Sequence, residues 1–201
     1  MPRIDWRTAV KALAGFLLGL ALWTLLTPLY DRAVGASAQA TLRAFERPSV
    51  TKLRREDDGY TTIDRSDFDP RSKQRPTLAI KDLTFNFVLL TALFAMAKRP
   101  FSDRNIGGFL AASAALALTH ILAAIAEVMS IYVAKLGMWS TVHYGDFARN
   151  FWGVTATFYR VVLMYAIVFA LWFVFRDPGA APAPKQKKTP TRKVARARRA
   201  R

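Results

Sequence analysis

From Ile106 to Val133 the chain is apolar apart from His120, Glu127 and a few small hydroxyl residues. A helix of that length exceeds the ~30 Å hydrocarbon thickness of a bilayer, so the stretch is expected to cross a membrane. A carboxylate placed in hydrocarbon costs several kcal/mol unless it is paired or faces protein or water. Glu127 therefore demands a partner, and the rest of the chain must supply one.

Three further apolar runs accompany this one. Residues 1–29 hold a short basic start (Arg3, Arg7, Lys11) and an apolar segment from Ala12 to Leu29, with Trp23 and Tyr30 as interfacial aromatics. The Ala36-Ser37-Ala38 triplet resembles a signal-peptidase site, but Asp31 and Arg32 separate it from the apolar run, which favours a retained anchor. Residues 83–97 form a short second run ended by Lys98-Arg99-Pro100, residues 106–134 the third, and residues 152–175 the fourth, closed by Arg176 and Pro178. The predicted class is an α-helical membrane protein with four transmembrane helices. A small extracytoplasmic α+β cap lies between helices 1 and 2. The basic residues flanking the short connections place both termini in the cytoplasm.

The cap is expected within residues 30–82. Val34, Ala38, Leu42 and Phe45 recur at helical spacing, so the first helix is predicted to continue beyond the membrane until Pro48. Ser49 to Arg54 and Tyr60 to Asp64 alternate around Asp57-Asp58-Gly59, a hairpin signal, and Thr77 to Lys81 offers a third strand. Residues 135–151 form an aromatic extracytoplasmic loop. Its Trp139, His143, Tyr144, Asp146, Phe147 and Arg149 are candidates to face a partner. Residues 176–201 form a basic tail, with nine Lys/Arg and no acid after Asp177 in a chain of net charge +16. The tail suits anionic lipid; it lacks the aromatics that nucleic acid binding uses, and no specific nucleic acid contact is expected.

Depth arithmetic pairs the buried charges. Glu127 lies roughly 10 Å below the outer end of the third span, and Arg160 roughly 12 Å below the start of the fourth. The two are expected to form an ion pair. Asn86, near the start of the second span, could join them in an outer polar pocket, with His120 on the same helix face about 10 Å deeper. Such a pocket suits a ligand or a catalytic site, or else a structural ion pair that fixes helix packing. The chain has no cysteine, which excludes disulfides, thiolate metal sites and a cysteine nucleophile. No hydrolase signature and no metal-ligand spacing is present, so no cofactor, metal or catalytic residue is assigned. The stripe of Gly107, Gly108, Ala111, Ala112, Ala114 and Ala115 permits close helix approach.

Several stretches carry a resemblance: Leu25-Thr-Pro-Leu-Tyr30, Arg65-Ser-Asp-Phe68, Leu118-Thr-His-Ile-Leu122, and Trp139 to Gly153. With the four-span plan, the chain resembles the small exosortase-associated membrane proteins of bacteria, of the kind that accompanies exosortase H. The resemblance covers most of Ala12 to Phe175 and not the basic tail. It implies a non-enzymatic accessory of an envelope protein-sorting system, with another membrane protein, an exosortase, as partner. It carries over no catalytic residue. The competing expectation is a membrane protein that binds or transports a small molecule, lipid or proton through Glu127, Arg160 and His120. A membrane-bound hydrolase is a weaker third.

Overall fold

The computed structural model describes residues 6–46, 49–68 and 75–176. The first five residues, Pro48 as the helix stop, part of the loop at 69–74 and the basic tail from 177 onward lie outside the described residues. Helix α1 spans Trp6–Phe45 without a break and retains Pro28 inside it. The expected extension of the first span is thus one helix with the span itself. Strands β1 (Lys52–Arg55), β2 (Thr61–Asp64) and β3 (Thr77–Leu78) follow, then the short helices α2 (Ile80–Thr84) and α3 (Asn86–Ala95). Helix α4 covers Asp103–Ala134, α5 Met138–His143 and α6 Asp146–Phe158; a widened π-helical turn, Tyr159–Leu163, leads into α7, Met164–Phe175.

Three helical segments are long and apolar enough to cross a membrane: Trp6–Phe45, Asp103–Ala134 and the continuous Asp146–Phe175. Many large apolar side chains on them point outward, among them Leu13, Leu17, Leu25, Leu118, Leu122, Val161 and Phe173. In water that pattern would be an aggregation hazard; against lipid it is the expected surface. The second apolar run differs. It bends at Phe85, and α3 alone has ten residues, about 15 Å, half a hydrocarbon layer.

The hairpin forms as the alternation predicts, in the register Lys52↔Asp64 through Arg55↔Thr61. Gly59, at φ +84°, supplies the left-handed residue of the turn. The third strand is shorter than expected. Thr77 and Leu78 pair with β2, but Ile80 and Lys81 already belong to α2.

The sheet shares a core with the helices. Ile63, Phe68, Leu78 and Ile80 are buried together with Val34 and Ala38 of α1, and with Ala124, Val128 and Tyr132 of α4. A second core lies further down the bundle, formed by Leu90, Leu93 and Phe94 of α3, Ala112 and Leu116 of α4, and Val168 of α7. Close approach depends on glycine. A methyl group on Gly15 would overlap the Ala95 side chain, and one on Gly19 would lie 2.9 Å from the Thr91 Cβ. Of the small-residue stripe on α4, Gly108 faces the Phe175 carbonyl and Ala112 is buried, whereas Gly107 faces open space and Ala111 and Ala114 are exposed.

Candidate functional site

Four elements converge on one polar layer inside the bundle. The Asn86 side-chain Nδ2 donates to the Met164 carbonyl at 3.0 Å. A carbonyl only accepts, so this bond fixes the amide orientation and turns Asn86 Oδ1 toward His120. Oδ1 lies 2.7 Å from His120 Nε2, which must therefore carry the hydrogen. Nδ1 is then the acceptor, and the Tyr30 hydroxyl, 2.8 Å away, donates to it. The result is a directed chain, Tyr30 to His120 to Asn86 to Met164, that ties α1, α4, α3 and α7 together. His120 and Asn86 are each 1% exposed. At such burial a missing partner costs about 1–3 kcal/mol, so the chain stabilises one packing over its alternatives. The Tyr159 hydroxyl is buried close by, beside Asn86 and Thr119.

This layer marks where α1 changes character. Tyr30 ends its apolar run, and Asp31 and Arg32 follow at once. Asn86 was expected at the outer end of the second span; its bond to His120 sets it beside the middle of α4. The reason is that α2, above it, is claimed by the sheet: Ile80 and Leu83 pack into the same core as Ile63 and Leu78.

Glu127 and Arg160 are in contact, Nε to Oε1, joining α4 to the π-helical turn. Glu127 is buried and the Arg160 side chain is half exposed. Glu127 lies seven residues beyond His120, about 10 Å along α4. Asn86 and His120 bond to each other and to Tyr30, and Glu127 bonds to Arg160. The four residues expected in one pocket thus form two neighbouring constellations.

A second polar centre surrounds Arg65. Its Nη1 lies 2.6 Å from Glu46 Oε1, and its Nε and Nη2 hold both Asp67 oxygens at 2.9 and 3.0 Å. The guanidinium also stands over the rings of Tyr132 and Trp139, 4.9 and 5.2 Å from their centroids. Such a planar fork, stacked and bidentate, is a task that lysine cannot replace. Thr51 completes the link, with its hydroxyl 2.7 Å from that of Tyr132. Phe68 packs edge-on against Trp139 and Tyr132, and His143 stacks on Trp139 at 4.4 Å. The Arg65 hydrogen bond holds the Asp67 carboxyl below the usual carboxylate range. Burial raises the Tyr144 hydroxyl.

The aromatic segment is therefore divided. Trp139 and Tyr144 turn inward onto the sheet and α4, whereas His143, Asp146 and Phe147 are exposed and Arg149 is half-buried beside Asp146. The stretches that carry the resemblance meet in pairs: Tyr30 touches His120, and Arg65 to Phe68 touches Trp139. The sequence marks Tyr30 and Arg65 without setting their contacts, and neither Tyr132 nor Tyr159 stands out in it. An aromatic hydroxyl inside an apolar span is the signal that could have found the last two. Among the described residues no cluster of three or more metal-ligating side chains is present. Compared with family models, curated proteins and solved structures, the chain matches none.

Proposed function

We propose that the chain is a four-span integral protein of a bacterial inner membrane, with both ends cytoplasmic and the sheet as an extracytoplasmic cap. In this reading it is a non-enzymatic accessory that docks a second membrane protein, an exosortase by the resemblance described above. The basic tail adds contact with anionic lipid. One observation carries the docking claim. The apolar run of α1 ends at Tyr30, level with the Tyr30–His120–Asn86–Met164 layer. From Met164 the chain runs outward through α6 for about 25 Å to Phe147. Over that distance it exposes large apolar side chains, Phe147 at 83%, Val154 at 66% and Phe158 at 48%, with Asn150 and Thr157 exposed between them. Large apolar side chains exposed over this length beside a polar cap need a covering, and a companion membrane protein with its own extramembrane part fits.

A photo-crosslinking residue at Phe147 or Val154 tests this in cells. The expected adduct is with one membrane protein of the sorting system; adducts with lipid alone would sink the reading.

A second reading has one observation in its favour. The buried Tyr159 hydroxyl stands beside Asn86 and Thr119, at the edge of the Tyr30–His120–Asn86 chain, a seat for a proton or a small polar ligand. Replacing Tyr159 with Phe separates the two: function is kept if the protein works by docking and lost if the layer handles a ligand.

A further inference from the structure

A cleft of about 510 Å³ opens between the extramembrane part of α1 and strand β1. Its walls carry Arg32 and Arg43 from the helix, and Lys52, Arg54 and Arg55 from the strand. Among the described residues, Asp31 is the single acid lining it. Arg55 approaches Asp31 at 3.8 Å. Among the described residues, Arg32, Arg43, Lys52 and Arg54 have no carboxylate within ion-pair distance.

The cations are held apart by the fold. Gln39 Oε1 accepts the Leu53 N–H at 2.7 Å and pins the strand across the helix. Arg32 and Arg43 lie on one face of α1, eleven residues and about 16 Å apart. Arg55 has Asp31 beside it, and the other four cations on the two walls of the cleft repel one another. A cleft lined by one sign of charge also focuses the field and concentrates counter-ions. The arrangement costs stability unless an anion fills it.

We propose that this cleft binds phosphate groups. Guanidinium forks match phosphate oxygens bidentately, and the spacing along α1 accommodates more than one phosphate. The mouth starts at Arg32, two residues beyond Tyr30, so the phosphate can belong to a lipid headgroup or to a soluble molecule.

The test uses the full chain in phosphatidylcholine nanodiscs, titrated with inorganic pyrophosphate at low salt, and the same chain in phosphatidylglycerol nanodiscs. Replacing Arg32 and Arg54, both exposed, by Gln is expected to weaken pyrophosphate binding about fivefold per removed cation. Asp31→Asn, which removes that acid, is expected to tighten it by a similar factor. Arg198→Gln with Arg199→Gln in the tail removes the same charge elsewhere and is expected to leave affinity within about twofold. Loss of pyrophosphate binding in phosphatidylglycerol, with phosphatidylglycerol retained over phosphatidylcholine in native mass spectrometry, identifies the lipid headgroup as source. Equal binding in both discs identifies a soluble phosphate. The proposal is overturned if wild type neither binds pyrophosphate nor retains phosphatidylglycerol. It is equally overturned if the tail pair and the cleft pair weaken binding alike.

Discussion

His120 Nε2 donates to Asn86 Oδ1 across 2.7 Å, and the direction of that bond is dictated two contacts away by the Met164 carbonyl. This relationship fastens the start of a ten-residue helix to the middle of a 32-residue one. Above that bond the chain continues as α2, whose Ile80 and Leu83 pack under the sheet.

Asn86→Leu should strand two buried groups, the His120 Nε2–H and the Met164 carbonyl. The expected loss is about 1–3 kcal/mol per group, read as thermal unfolding in mild detergent. Tyr30→Phe removes only a donor to His120 and should cost less. In a double-mutant cycle the two should couple, because both changes act on one imidazole.

The Glu127–Arg160 pair should respond unequally. Arg160→Met leaves Glu127, with its side chain 5% exposed, as an uncompensated buried charge. A loss near the low end of the range for broken buried pairs is expected, about 3 kcal/mol, since the arginine side of the pair is half exposed. Glu127→Met frees an arginine that is already half exposed and should cost about 1 kcal/mol or less. The double Met variant should recover most of the difference; a double variant as unstable as Arg160→Met would contradict the pairing.

Adjacent glycines on α4 should behave oppositely. Gly108→Val meets the Phe175 carbonyl, whereas Gly107 has no atom near a new side chain. Overpacking typically costs about 1–3 kcal/mol, so Gly108→Val should lower the unfolding temperature and Gly107→Val should not.

The Arg65 centre should confer pH dependence on the sheet. Asp67 is held below its ordinary value by Arg65. Its stabilising contribution is therefore complete above the unfolded carboxyl value of about 4, and it is lost as pH falls through the lower folded value. Protection of the β1 and β2 amides against hydrogen exchange, relative to the intrinsic rate at each pH, should fall in that acid window. Asp67→Asn should exchange faster at neutral pH and lose that part of the acid dependence; an unchanged acid response in the variant would place the dependence elsewhere.

The sequence by itself determined the elements whose cause is local. Three long apolar helices follow from run length, the hairpin from alternation around Asp57-Asp58-Gly59, and the continuation of α1 from the helical spacing of Val34, Ala38 and Leu42. The contact between Glu127 and Arg160 also followed, because opposite charges on consecutive antiparallel helices can be matched by counting residues. Only the tertiary structure decided the rest. Tyr30, Asn86 and His120 come from three separate helices, and nothing in their spacing along the chain sets the relative height of those helices. That height is fixed by Ile80 and Leu83 packing under the sheet and by Gly15 and Gly19 admitting α3 against α1. Arg65 likewise meets Tyr132 and Trp139 only because the sheet core continues into the helix core. Residue spacing encodes rise along one helix; the sliding of one helix against another is set by packing, and packing is where the polar groups of this protein found their partners.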